Sequence, residues 1–314
     1  MEKYRKKLLY LFLFLFFIIG SASSLNVGIS HDEYHEQANW EFNLNLTKKI
    51  SSEFFLNKNS GLKIENYKDK YYGIGFQLIS QPIQYFLKDL IFKYQNISDY
   101  GSKLVSKHFV VFLFFFISGI FFYLILKKII KDKNFCYFST ILYFLYPYLF
   151  GQSLFNSKDI PFMTLWIICS YSNLSLLGKL NKQKIIKPLK IIVLGILTAY
   201  LFSIRISGIL ILLQYLISFL IFFNTTKIKF NDFFIKNYRK LILFILVVTF
   251  FTYLFNPVYW NNPFEIINAI KSMSYFYNDV CTETLGSCMK AKDLPSTYLL
   301  IWLSVKLPLI ILIG

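Results

Sequence analysis

Residues 109–126 read Phe-Val-Val-Phe-Leu-Phe-Phe-Phe-Ile-Ser-Gly-Ile-Phe-Phe-Tyr-Leu-Ile-Leu, and Lys127-Lys128 follow at once. No residue in this stretch is charged. Its length matches the roughly 20 apolar residues that a helix needs to cross a hydrocarbon layer. A surface helix of a soluble domain keeps one polar face; this stretch has none. The composition agrees. Of 314 residues, 55% are hydrophobic, 20% aromatic and only 16% charged, with a mean hydropathy of +0.48. Soluble domains carry about 25% charged residues. A soluble globular enzyme, a disordered chain and a disulfide scaffold are therefore excluded.

Outward from Phe109–Leu126, seven further runs share its character: Leu8–Ser24, Phe135–Phe150, Ile160–Leu177, Leu189–Ile204, Ile206–Phe223, Leu241–Phe255 and Tyr298–Gly314. The expected fold class is all-α: one polytopic membrane helix bundle of about eight spans covering residues 1–314. The fifth and sixth spans are separated only by Arg205 and form a tight hairpin. The first has a rival reading as a cleavable signal peptide, because a basic start, an apolar run and Gly-Ser-Ala-Ser-Ser (20–24) have that order.

The chain holds 34 Lys+Arg against 17 Asp+Glu, a net charge of +17. Only Arg5, Arg205 and Arg239 are arginine. Nucleic-acid binding would need basic residues clustered on one face. Here they punctuate apolar runs, so no nucleic-acid partner is expected. Lysines gather at the N-terminus, in 127–133, in 179–190 and, with Arg239, in 227–240. If the spans alternate, all four regions share one side, which the positive-inside rule makes the cytoplasm. The outer side then receives a first loop of 25–108, a short 151–159 loop, the Arg205 turn and a last loop of 256–297. The expected location is a bacterial inner membrane, with chemistry facing the periplasm or outside.

In the first outer loop, Glu36–Phe55 and Phe76–Tyr94 have helical apolar spacing, which suits helices lying in the membrane interface or a small soluble cap. Cys281 and Cys288 in the last loop, with Gly286 between them, suit a local disulfide in an oxidising compartment. Cys136 and Cys169 lie inside spans and read as packing residues.

Ionisable groups at membrane depth cost about 2.5–3.5 kcal/mol each and mark function. They converge on the outer span ends: His31-Asp32-Glu33 after the first span, Lys158-Asp159 before the fourth, and Arg205 after the fifth. Asp32 and Asp159 each have a second reading as helix caps. Arg205, in a chain that prefers lysine, offers a permanently charged fork for phosphate; it also reads as a turn residue snorkelling to the interface. Tyr67–Phe76 mixes cations, aromatics and small residues, which suits a phosphate and a sugar face. His31 and His35 have the spacing of a zinc-peptidase pair, with Asp32 where that motif needs glutamate and no third ligand evident.

The order of these pieces resembles the GT-C glycosyltransferases, in particular the protein O-mannosyltransferases and the lipid A aminoarabinose transferases. The residues that carry the resemblance are Asp32-Glu33 after the first span, the Tyr71–Phe76 element, Pro147–Ser153 running into Asp159-Ile160-Pro161, the span ending at Arg205, the Pro257/Trp260/Pro263 element and Leu294–Tyr298. The resemblance implies a transferase using a polyprenyl-phosphate-linked sugar, with an acceptor lipid, glycan or protein and membrane lipids as its other partners. It implies Asp32 as general base supported by Glu33, and Asp159 as a second acid. Arg205, Lys70 and Lys158 would hold the donor phosphate; Tyr72, Trp260 and Asn261 would line the substrate pocket. No cofactor and no metal ligand is implied, and dependence on a divalent cation stays open. Members usually have more spans, so an ending inside an apolar run at Gly314 reads as a short or C-terminally truncated form. The alternatives are a non-catalytic transporter or lipid flippase, and the zinc membrane peptidase.

Overall fold

The structure, a computed structural model, describes residues 2–56, 67, 69–182, 185–226, 228, 230–275, 281–307 and 312. Two compact units emerge, 1–263 and 264–314.

The first unit is helical. It runs α1 (Glu2–Ser24), α2 (His31–Leu56), α3 (Gly75–Gln95), α4 (Asp99–Ile129), α5 (Lys133–Leu145), α6 (Pro147–Gln152), α7 (Asp159–Asn181), α8 (Pro188–Ile204), α9 (Ile211–Thr225) and α10 (Phe230–Phe255). Short 3-10 turns cover Ile206–Leu210 and Pro257–Tyr259. Among the described residues, five helical stretches are long and apolar enough to cross a membrane: Tyr4–Ser24, Asp99–Ile129, Asp159–Asn181, Ile206–Thr225 and Phe233–Phe255. The chain is thus a helical integral membrane protein. α8 is equally apolar but shorter, at 17 residues.

The third expected span, Phe135–Phe150, is not one helix. Pro147 has no N–H to donate and pushes the residue before it out of the helical region. Tyr146 accordingly sits at φ −64, ψ 112, and α5 stops after 13 residues. The eighth expected span is described as helix only over Tyr298–Lys306; most of the rest of it lies outside the described residues.

α4 is the central element, packing on α1, α3, α5 and α7, while α8 packs on α7, α3 and α10. The core between them is rich in phenylalanine: Phe112, Phe115 and Phe144 are fully enclosed, with Phe16 4.9 Å from Phe144 between ring centroids. In lipid, burial of apolar surface gives little drive, so helices associate through close packing. Two glycines provide it. A Cβ on Gly20 would enter the Phe112 ring, and one on Gly119 would enter the Phe144 ring.

α3 is turned inside out relative to a soluble helix. Gln77, Ser80 and Gln84 are buried, whereas Tyr85, Phe86 and Tyr94 are 63%, 79% and 77% exposed. Rings on the outside suit the membrane interface, and the amides inside find polar partners.

The second unit contains α11 (Glu265–Tyr275), a hairpin of β1 (Cys281–Thr284) and β2 (Ser287–Lys290), and α12 (Tyr298–Lys306). Leu285 and Gly286 turn the hairpin with φ of 52 and 79, the positive-φ pair that matches strand twist. Cys281 and Cys288 are joined by a disulfide across it.

Candidate functional site

The site is built where α1 ends and α2 begins. Ser30 and Glu33 form one half of a capping box: the Ser30 N–H donates to Glu33 Oε1 at 2.7 Å. Asp32 therefore does not cap this helix; it lies within the first turn and is exposed. The second oxygen of Glu33 faces inward, 2.9 Å from His108 Nε2. His108 Nδ1 is 3.1 Å from the Ser24 carbonyl oxygen. A carbonyl only accepts, so Nδ1 carries a proton. Nε2 and Glu33 then share one more proton. His108 is fully buried and Glu33 is 5% exposed, so the pair ties α1, α2 and α4 together in a dry setting.

Lys107, the neighbour of His108, is also buried. Its ammonium donates to Gln37 Oε1 and Gln77 Oε1, both at 2.6 Å. Gln37 in turn donates to Glu41 Oε1 at 2.8 Å. Two consecutive residues of α4 thus hold the starts of α2 and α3.

A second layer of charge forms at the start of α7. Ser157 Oγ donates to Glu36 Oε2 at 2.5 Å, and Glu36 Oε1 lies 3.7 Å from Lys158 Nζ. That separation is an ion pair, too long for a hydrogen bond. Among the described residues, the buried Lys158 ammonium has no hydrogen-bond acceptor. It rests 3.3 Å from the centroid of the Tyr72 ring, a cation–π contact. Burial pushes the Lys158 pKa below its ordinary value. Glu36 opposes that shift most, Arg205 adds to it, and Asp159 and Asp32 raise it again. One ammonium thus feels three carboxylates and a guanidinium contributed by three segments: α2, the start of α7 and the residue after α8.

Asp159 does not cap its helix either. Asn156 does so, its side-chain oxygen accepting from the Lys158 and Asp159 amides at 3.1 and 2.8 Å. This frees Asp159 to pair with Arg205 through Oδ1 and NH1. Arg205 sits just beyond α8, at φ −148, ψ 132. The turn bearing Tyr72 docks against the same place. A Cβ on Gly73 would run into the carbonyl oxygens of Ser203 and Ile204, so only glycine permits this approach. Tyr200 donates to the Gly75 carbonyl at 2.8 Å, and Asn39 donates to the Tyr72 carbonyl at 2.5 Å.

Of the residues expected from sequence, Lys158, Asp159, Arg205 and Tyr72 meet around one point, while Asp32 is exposed in the first turn of α2 and acts on the Lys158 charge without touching it among the described contacts. Glu33 stands beside them in the His108 pair. Lys70 lies on the Tyr72 turn with its ammonium 4.9 Å from the Tyr71 ring centroid. Trp260 is 37% exposed, and its indole donates to the Tyr253 carbonyl at 2.7 Å. Asn261 is exposed; the preceding turn, Pro257–Tyr259, packs on α2. Neither side chain contacts the Lys158 cluster. His31 and His35 pair edge to face on α2, 5.1 Å apart, and both are exposed. Among the described residues, no three His, Cys, Asp or Glu side chains converge as a metal site.

Glu36, Lys107 and His108 were not expected. For the last two there was a signal: a Lys-His pair one step from the longest apolar run is costly there unless it has partners.

The fold and site define a helical membrane protein with a cluster of charged side chains at one end of its bundle. Comparison of the chain with protein-family models, with curated proteins and with solved structures finds no match.

Proposed function

We propose that the protein is a membrane glycosyltransferase that moves a sugar from a polyprenyl-phosphate donor to an acceptor hydroxyl or phosphate at the outer face of a membrane. The observation that carries this reading is Lys158: among the described residues its buried ammonium has no hydrogen-bond acceptor, and it feels the charges of Glu36, Arg205, Asp159 and Asp32. A cation lacking an acceptor draws an anion, and carboxylates beside it supply a base.

In this scheme Asp32 takes the proton from the acceptor hydroxyl. The acceptor oxygen forms its bond to the anomeric carbon as the bond from that carbon to the phosphate oxygen breaks. The electron pair leaves with the polyprenyl phosphate, whose growing negative charge is held by Lys158 and Arg205. Charge stabilisation of this kind is worth about 10²–10³ in rate per donor group. The displacement inverts the anomeric centre and needs no covalent enzyme intermediate.

Asp32→Asn and Asp159→Asn are the direct test. Each should lower transfer from a radiolabelled polyprenyl-phosphate sugar by about 10²-fold or more, in keeping with the loss of a general base or of the Arg205 partner. Full transfer by both variants would end this reading.

The pH dependence has a fixed sign. Lys158 holds an anion only while protonated, and its pKa lies below the ordinary 10.5. The apparent affinity for donor should therefore weaken as pH rises through that lowered value, before exposed lysines titrate. Lys158→Arg, which stays charged, should move this alkaline limb upward. Stability moves the other way. Between the folded value and 10.5 the unfolded chain binds more protons, so this group favours folding increasingly as pH rises.

A transporter or flippase is the second reading, and Glu33–His108 is the observation that favours it, since a buried proton-sharing pair in a bundle can serve proton coupling. Movement of labelled lipid across vesicles without formation of a glycosidic bond would select it.

A further inference from the structure

At the opposite ends of α4, α7 and α9 lies a cavity of about 1010 Å³ that the proposed chemistry does not use. Its wall carries Lys128, Lys179, Lys182 and Lys190, together with Ser170 and Gln214. Gln214 donates to Ser170 Oγ at 2.8 Å, which fixes α9 against α7 within that wall. Among the described residues, no Asp or Glu lines the cavity. Next to it is a smaller slot of about 270 Å³ between α7, α8, α9 and α10, lined by side chains such as Leu194, Leu216, Phe219 and Phe244. The two meet at Asn173, a buried residue of α7 that borders both. A basic cavity flanked by a narrow apolar slot has the two chemistries of one amphiphile.

We propose that this cavity binds an anionic membrane phospholipid, with the headgroup phosphate among the four lysines and one hydrocarbon chain entering the slot past Asn173. Charge complementarity selects the headgroup: lysines between spans on the cytoplasmic side attract anionic lipid headgroups. The positive-inside pattern explains lysines at these ends. It does not explain their convergence on a cavity that no described carboxylate lines, next to an apolar slot. The site is independent of the glycosyltransferase reading and stands or falls separately.

The test uses the full chain in detergent, titrated with phosphatidylglycerol or phosphatidylcholine of the same chain length and read by native mass spectrometry. Phosphatidylglycerol should bind in preference. Each lysine near an anionic headgroup contributes about a fivefold factor. Combined Lys128→Gln, Lys179→Gln and Lys190→Gln should therefore weaken binding roughly 100-fold, whereas the three corresponding Lys→Arg changes should retain it. Leu216→Trp, which fills the slot, should also weaken phosphatidylglycerol binding. Equal binding of phosphatidylcholine, or an unchanged Gln variant, overturns the proposal. So does displacement of the lipid by inorganic phosphate with no effect of Leu216→Trp, since that pattern belongs to a free anion.

Discussion

Lys158→Met is expected to lower sugar transfer by about 10²–10³-fold, the amount that one preorganised charge contributes to a developing anion. The same substitution leaves Glu36 without its cation. Removing one member of a buried pair destabilises by about 3–5 kcal/mol when nothing else answers the remaining charge. Glu36 keeps the Ser157 hydroxyl and its side chain is 11% exposed, so its loss should fall below that range. The double variant Glu36→Gln/Lys158→Met separates the two effects: its melting temperature should return towards that of the parent, whereas transfer should not recover. Assays of transfer and of thermal aggregation on the same preparations decide the matter. Near-normal transfer by Lys158→Met would mean that the donor phosphate is held elsewhere.

The second large effect concerns stability alone. His108→Phe removes the only partner that Glu33 Oε2 has among the described residues, in a position shut off from solvent. The expected loss is about 3–5 kcal/mol, the cost of stranding a buried charge. Adding Glu33→Gln should recover part of it, because a neutral amide still accepts from the Ser30 N–H and carries no charge. A double-mutant cycle on unfolding in detergent measures the coupling. Parent-like melting of His108→Phe would show that the pair is not what joins α1, α2 and α4.

The spans were legible because lipid imposes a strict rule on length and polarity, and stretches such as 109–126 obey it without exception. The break at Pro147 was also written in the sequence, but the apolar run on both sides hid it. Lys158, Asp159 and Arg205 stood out because a charge at a span end is rare and expensive. Glu36 did not. α2 has polar side chains on most of its faces, and which of Asp32, Glu33, Glu36 and Glu41 turns inward is decided by α4 and α7, far away in the chain. Whether Asp32 and Asp159 cap their helices stays open in the sequence for a related reason. Asp32 and Asp159 are good capping residues, yet Ser30 with Glu33, and Asn156, occupy those roles, and the aspartates are left for charge pairing.

The reversed polarity of α3 has a practical consequence for anyone who would study residues 25–108 as an excised ectodomain. Cut away from the bundle, Glu36 would lose Ser157 and Lys158, the Gly75 carbonyl would lose the Tyr200 hydroxyl, and Gly73 and Gly75 would lose the end of α8 that they fit. Phe86 and Tyr94 would meanwhile meet water where they now meet the interface. Such a fragment would associate with itself or with detergent, and its carboxylates would report nothing about their behaviour beside Lys158 and Arg205.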